Sequence, residues 1–254
     1  MIEYCISKNY FQNLKIISSN GRESTTYFVP NGFGIPVCIK EYANPFLHTN
    51  SNDEVIKKLF LLHQKLVKSK NIAPSIIFYD LEEYQHGKKK LIATATPFLQ
   101  DYVSIEKVSD ISDIFICIRN LTTLLTELTS LSIFPTDLNN SNIMVSPDLN
   151  VQLIDLDGEQ CKVNPENPNE YYKQIFDSMR YRILADLMLS EEEYNAAYKF
   201  SSLREGQKII LRQKGYSPKT IDVILESKEE PKLETILEVL DEVEPFFSKS
   251  KPKK

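Results

Sequence analysis

Cysteine and histidine, which build most disulfides and zinc sites, are scarce in this chain of 254 residues. The four cysteines include no Cys-x-x-Cys pair, and the three histidines lie far apart without zinc spacing. We therefore expect buried free thiols in a reducing compartment rather than disulfides or a zinc site. The residues concerned are Cys5, Cys38, Cys117 and Cys161, and His48, His63 and His86.

Excess positive charge and long apolar runs are also missing. The formal net charge of -5 does not support nucleic-acid binding as the main activity. The most apolar stretch, Ile111–Ile133, contains Asp113, Arg119 and Glu127, which are too many charges for a membrane span. The N-terminal residues lack the basic start and apolar core of a secretory signal. We expect a soluble, cytoplasmic protein; a protein exported by an unconventional signal would share these features.

The first third of the chain is patterned mainly as β-strands. Turn signals at Ser19-Asn20-Gly21 and Pro30-Asn31-Gly32 separate runs rich in β-branched and aromatic residues, which predicts an antiparallel meander. A helix with apolar residues at helical spacing follows Asn52-Asp53, and two further strands follow the helix. The predicted strands are Leu14–Ser18, Ser24–Val29, Ile35–Tyr42, Ile76–Tyr79 and Leu91–Thr96.

Helical patterns dominate from Asp101 onward. Apolar residues at three- and four-residue spacing between Ile111 and Leu128 predict a long buried helix. Further helical patterns lie near Tyr171–Leu189, Glu191–Ser201 and Leu233–Val243. With 42% hydrophobic and 26% charged residues, the chain can bury a core. We predict an α+β protein with an antiparallel, β-rich lobe that carries one helix at residues 1–99, and a mainly α-helical lobe at residues 100–254.

The segment from Phe134 to Gly158 carries the clearest chemical pattern. Asn142 follows Asp137 by five residues, and Asp155 follows Asp137 by eighteen. Two short apolar runs joined by a turn-rich link lie between Asn142 and Asp155, so the segment predicts a loop followed by a β-hairpin. Two carboxylates and an amide held together in this way suit metal-assisted phosphoryl transfer.

These motifs resemble those of the eukaryotic protein-kinase-like superfamily. DLNNSNIMV is similar to the catalytic-loop pattern D-L-x-x-x-N, and LIDLDG is similar to the strand that ends in D-F-G. The resemblance implies a two-lobed fold that uses ATP and Mg²⁺. It implies that Asp137 orients or accepts the proton of the attacking hydroxyl, and that Asn142 and Asp155 bind magnesium.

The resemblance also implies nucleotide-binding residues in the first lobe. Lys40 in PVCIKEY is similar to the lysine of V-A-I-K and would contact the α- and β-phosphates, with the small Cys38 leaving room for adenine. Glu54 is the candidate partner of Lys40. The phosphate-covering loop would offer backbone amides from Gly21 to Ser24, and Ser24 or Thr25 could also donate a hydroxyl.

Several departures from the family pattern indicate an atypical member. Pro135-Thr136 replaces His-Arg before Asp137, which makes control through a phosphorylated activation loop unexpected. Asp157 stands at the glycine position of D-F-G, no A-P-E sequence follows, and the phosphate-covering loop has one glycine. We expect an atypical Ser/Thr protein kinase. The alternatives are a small-molecule, sugar or lipid kinase, a pseudokinase scaffold, and an enzyme that transfers AMP.

Overall fold

A computed structural model describes residues 1–20, 24–43, 52–67, 74–158, 160–226 and 231–248. The chain divides into two compact units, Met1–Gln100 and Asp101–Lys254. The first unit is built on a β-sheet and the second is mainly helical. The predicted α+β class is therefore confirmed.

The first unit contains a sheet of six strands, in the order β1-β5-β6-β4-β3-β2. The pairs β2–β3 and β3–β4 are antiparallel, as the predicted meander requires. The strands are β1 (Ile2–Ile6), β2 (Lys15–Asn20), β3 (Ser24–Gly32), β4 (Ile35–Tyr42), β5 (Ile76–Asp80) and β6 (Leu91–Pro97), with helices α1 (Asn52–Leu66) and α2 (Leu81–Gln85).

The prediction of one helix in this lobe is wrong, because the short α2 follows β5 directly, where the Asp80 side chain caps it. Two details of the predicted sheet are also wrong. The sheet is not wholly antiparallel, because β1 pairs with β5 in parallel. Parallel pairing is possible because the long connection through the meander and α1 lets the chain return to the same end of the sheet. The turn after β3 lies at Phe33-Gly34 rather than at Pro30-Asn31-Gly32. Phe33 and Gly34 have φ values of 60° and 86°, which a two-residue hairpin turn with matching twist requires.

Both faces of this sheet are covered within the first unit. One face carries Val37 and Ile39, and Phe11 from the short 3₁₀ turn Lys8–Asn13 packs against it. The other face packs against α1, whose Leu59 contacts Ile77 and other buried residues. Because side chains alternate along a strand, β5 contributes to both layers, with Phe78 in the first cluster and Tyr79 in the second.

The second unit is built around one long helix, α3 (Ile111–Ser130), which the apolar spacing predicted. The side chain of Asp110 caps its first turn, and Leu121 and Leu125 are fully buried. The remaining elements are β7 (Val103–Ser104), β8 (Ile133–Pro135), β9 (Ile143–Val145), β10 (Val151–Leu153), β11 (Cys161–Val163), α4 (Pro168–Ile183), α5 (Glu191–Ala197), α6 (Leu203–Gln213), α7 (Pro218–Leu225) and α8 (Leu233–Ser248).

Three findings bear on the other sequence predictions. Helices α4, α5 and α8 occupy the predicted helical segments, whereas α6 and α7 were not predicted. The four cysteines form no disulfide; Cys117 and Cys161 are buried, and Cys5 and Cys38 are half-buried. Within the described ranges, none of the helices is both long and apolar enough to cross a membrane.

Candidate functional site

The predicted hairpin brings Asn142 and Asp155 to one end of a pair of strands. Strands β9 and β10 are antiparallel, with Ile143 opposite Leu153. The pairing continues one step beyond the strands, because the Ile154 amide donates to the Asn142 carbonyl oxygen at 3.0 Å. Asn142 therefore stands directly before one strand and Asp155 just after the other, at the same end of the hairpin.

Asp137 is held by the amide side chains of two asparagines. The Nδ2 of Asn139 donates to Asp137 Oδ1 at 2.9 Å, and the Nδ2 of Asn142 donates to Asp137 Oδ2 at 3.0 Å. Each carboxylate oxygen thus has an amide donor, and the Asp137 side chain is exposed. Because the Asn142 nitrogen faces Asp137, the carbonyl oxygen of the same amide is directed away from that carboxylate.

The loop between Asp137 and Asn142 has its own internal support, which the sequence analysis missed. Asn139 Oδ1 accepts from the Ser141 hydroxyl at 2.5 Å and from the Asn142 amide at 3.0 Å. Asn139 therefore acts as the N-cap of the short 3₁₀ turn Asn140–Asn142. The residue type and position of Asn139, three before Asn142, were an available signal for this cap.

Asp155 occupies a strained backbone position next to a glycine. Its φ is 63°, in the left-handed region that few non-glycine residues adopt, and its side chain is exposed. The Gly158 amide donates to the Asp155 carbonyl at 3.2 Å. A Cβ added at Gly158 would lie 3.3 Å from that carbonyl oxygen, so the turn favours glycine. Leu156 anchors the turn because it is buried.

Arg182 in α4 contacts the loop from outside, and sequence reasoning did not single it out. Its Nη2 donates to the Leu138 carbonyl at 2.9 Å, and its Nη1 donates to Asn140 Oδ1 at 2.9 Å. Arg182 also forms an ion pair with Asp186 at 3.2 Å. Burial raises the pKa of Asp186, against the opposing effect of Arg182.

The segment after Asp155 returns at once toward the strand that precedes the loop. Strand β11 pairs with β8, with Cys161 opposite Pro135, and α4 begins at Pro168. Thr136 reinforces this return, because its hydroxyl donates to the Gln160 carbonyl at 2.7 Å. Pro135 and Thr136 thus pair with or bond to the chain that follows Asp155.

Lys40 lies in the first unit, on the sheet face that packs against α1. Its cross-strand neighbours are Thr26 on β3 and Thr94 on β6, and its Nζ lies 5.8 Å from the centre of the Tyr42 ring. Burial raises the pKa of the Cys38 thiol to about 11, so the thiol is uncharged at pH 7. The thiol therefore adds no negative charge to the strand that carries Lys40.

The other residues predicted in the first lobe lie at two places in this unit. Glu54 is an exposed residue in the first turn of α1, and Ser24 begins β3 opposite Tyr42. The predicted glycine of the phosphate-covering loop, Gly21, lies outside the described residues. The structure thus brings together Asp137, Asn142 and Asp155 in the second unit, and places Lys40, Glu54 and Ser24 in the first.

The donor chemistry of the second-unit site is oxygen-rich. In the part of the chain that the structure describes, no group of three or more His, Cys, Asp and Glu side chains is arranged to hold a metal. Asn142 and Asp155 would instead supply one amide oxygen and one carboxylate, ligands that suit Mg²⁺ when substrate phosphates and water complete its coordination.

No protein-family model matches this chain. No curated protein is significantly similar to it either.

Proposed function

We propose that this protein is an ATP- and Mg²⁺-dependent phosphotransferase that acts on a hydroxyl group. One observation carries the proposal: the Asn142 amide bonds the Asp137 carboxylate, and Asn142 and Asp155 flank the same end of one hairpin. A capping role would account for each residue singly. It would not require an acid, an amide and a second acid at one end of a hairpin.

The residues of the second unit would have separate roles. Asp137 would orient the acceptor hydroxyl and receive its proton, because the Asn139 and Asn142 amides hold both of its oxygens in place. The Asn142 oxygen and the Asp155 carboxylate would hold Mg²⁺. Bound MgATP would supply the phosphoryl group, with the metal neutralising its charge.

The residues of the first unit would hold the nucleotide. Lys40 would contact the α- and β-phosphates, since its ammonium group is a compact positive charge. Glu54 would orient Lys40, and Gly21 and Ser24 would cover the phosphates. Cys38, which is small and uncharged, would leave room for the adenine ring.

For the acceptor, we propose a Ser/Thr side chain of a protein, with a small molecule, sugar or lipid as the second candidate. A specific observation favours the second candidate. The chain returns from Asp155 to pair β11 with β8 and enters α4 at Pro168, which leaves a short segment for holding a peptide. The half-buried Asp157 also stands where protein kinases have glycine.

The experiment is a comparison of Asp137→Ala and Asp155→Ala with the wild type. We expect MgATP to raise the melting temperature of the wild type, and expect Asp155→Ala to lose this shift. We expect Asp137→Ala to keep nucleotide binding and to lose turnover by roughly 10²- to 10⁴-fold. Asp148→Ala, at an exposed position in the turn of the same hairpin, is the matched control and should behave like the wild type.

The position of the label decides among the alternatives. Transfer of γ-labelled phosphate to protein or to a metabolite identifies the acceptor class. Transfer of α-label would indicate AMP transfer and contradict the proposal. Nucleotide binding without turnover across a broad acceptor panel would indicate a scaffold and would also contradict it.

A further inference from the structure

Arg182, near the end of α4, contacts the Asp137–Asn142 loop although it lies 42 residues after Asn140 in the chain. Its side chain is 12% exposed, although arginine is seldom buried to this degree without partners. The two ends of its guanidinium contact the loop at different residues. Nη2 donates to the Leu138 carbonyl, and Nη1 donates to the side-chain oxygen of Asn140, both at 2.9 Å.

Both acceptors lie next to the residues that hold the Asp137 carboxylate. Leu138 directly follows Asp137, and Asn140 lies between the two asparagines that hold the Asp137 carboxylate. Asn139 stabilises the loop only from within, so it cannot set the position of the loop relative to the helices. Arg182 does so with two hydrogen bonds from one rigid planar group.

The ion pair with Asp186 supports this arrangement. Burying a guanidinium is costly unless its charge is paired, and Asp186 Oδ2 lies 3.2 Å from Nη1. Asp186 belongs to a single π-helical turn, Leu184–Met188, which extends α4. Such turns are rare and often occur at functional sites. This one keeps the carboxylate beside the arginine that contacts the loop.

We propose that Arg182, supported by Asp186, is a positioning residue that fixes the Asp137–Asn142 loop in its active geometry. The catalytic part of this inference rests on the proposed function. Removing Arg182 should displace the loop and so lower the rate of the chemical step more than it weakens nucleotide binding. Outer-shell contacts of this kind typically change activity by roughly 10- to 100-fold.

The chain offers a matched control for the test. Arg180 lies on the same helix with a side chain that is 16% exposed, and it donates to Asp177 and to the Ile224 carbonyl in α7. Arg180→Met and Arg182→Met therefore each remove a largely buried arginine from α4. Only Arg182→Met removes the two bonds to the loop.

Hydrogen exchange gives a readout that does not depend on activity. In Arg182→Met we expect the Asn142 and Ile154 amides, which bond within the loop and across the hairpin, to exchange about tenfold faster. In Arg180→Met we expect the exchange of these two amides to speed up by no more than the average for the amides of the second unit. Equal acceleration of these amides in the two variants, after correction for global stability, would overturn the proposal.

Steady-state kinetics provide the second readout. We expect Arg182→Met to lower kcat by roughly 10- to 100-fold with a change in the KM for ATP of less than about threefold. Arg182→Lys should recover part of kcat, because an ammonium group can reach only one of the two acceptors well. An unchanged kcat in Arg182→Met would overturn the catalytic part. If the wild type shows no turnover, the proposed function fails, and the exchange rates still decide whether Arg182 positions the loop.

Discussion

At the scale of single residues, the loop depends on the two-sided chemistry of the asparagine amide. Asn139 donates to Asp137 with its nitrogen and accepts from the Ser141 hydroxyl and the Asn142 amide with its oxygen. An aspartate at position 139 could accept these two hydrogen bonds but could not donate to Asp137, because an ionised carboxylate has no donor. Asparagine at position 139 therefore has a physical reason beyond turn propensity.

Backbone strain at Asp155 gives a prediction at this scale. Asp155 has a φ of 63°, which glycine adopts without a steric penalty and alanine does not. We expect Asp155→Gly to be more stable than Asp155→Ala by about 1 kcal/mol, although both variants lose the carboxylate. Urea denaturation followed by circular dichroism measures the difference, and it suits a chain without tryptophan.

Asp137 provides the control for this comparison, because its φ does not lie in the left-handed region. There the order should reverse, with Asp137→Gly less stable than Asp137→Ala, since glycine loses more backbone entropy on folding. The same order of stability at both positions would contradict the interpretation of Asp155 as a strained site.

At the scale of secondary-structure elements, α7 depends on a residue from another helix. Ser217 caps α7 through its own hydroxyl, and the Glu242 carboxylate of α8 accepts from the Ser217 amide at 2.8 Å. Glu242 also accepts from the hydroxyls of Ser217 at 2.9 Å and Thr220 at 2.5 Å. One carboxylate thus joins the start of α7 to α8. Its negative charge is also stabilised by the positive N-terminal end of the α7 dipole.

This arrangement predicts a pH-dependent loss of stability in Glu242→Gln. Burial alone would raise the pKa of Glu242, but hydrogen bonds from Thr220 and Ser217 outweigh it and hold the pKa below the ordinary value of 4.5. A lowered folded-state pKa means that the contribution is present above pH 4.5 and is lost as the pH falls through the folded-state pKa. We expect a cost of about 1 to 2 kcal/mol at pH 7 that shrinks in acid.

Glu238 on the same helix provides the control. It pairs with Lys219, but the two side chains are 60% and 75% exposed. We expect Glu238→Gln to change the free energy of unfolding by less than about 0.5 kcal/mol at pH 7. A larger effect for Glu238→Gln than for Glu242→Gln, in denaturation at pH 7, would contradict the assignment of Glu242 as the cap.

Helices were predictable where burial follows apolar periodicity. Helix α3 shows a regular apolar stripe, and its length and position were predicted from that stripe. Helix α6 was missed because Gly206 and Gln207 occupy buried positions between Leu203 and Leu211 and so interrupt the apolar spacing along its buried face. Helix α7 was missed because it has eight residues, rich in β-branched types such as Ile221 and Val223, which favour a strand interpretation.

At the scale of the whole molecule, the N-terminal strand β1 forms one edge of the first-unit sheet and covers the edge of β5. Strand β1 pairs with β5 from Ile2 opposite Ile76 to Ile6 opposite Asp80. Strand β5 is buried along its whole length. Without β1, the β5 edge would present unpaired backbone groups and apolar side chains, a known template for aggregation.

Deletion of residues 1–6 tests the contribution of this strand. Each lost inter-strand hydrogen bond costs about 1 kcal/mol net, so we expect a loss of roughly 3 kcal/mol or more and a greater tendency to aggregate. Thermal unfolding and light scattering measure these effects. Stability and solubility equal to those of the full chain would show that β1 contributes little to the sheet.

The local sequence was sufficient for the hairpin between Asn142 and Asp155. Its two strands and its turn lie within a few residues of one another, and short-range propensities decide such structures. The spacing of Asp137, Asn142 and Asp155 likewise could be recognised from the residues alone. The proposal of metal and proton chemistry at this hairpin therefore needed no tertiary information.

Long-range contacts required the folded chain. Arg182 contacts the loop only because α4 packs beside it, and β1 pairs with β5 although about seventy residues separate them in the chain. Apolar periodicity shows which residues of a segment are buried, but it does not show which distant segment they or their hydrogen-bonding neighbours will meet. The residues of the proposed site are thus set by local sequence, whereas the support that holds their loop in place arises from packing between distant segments.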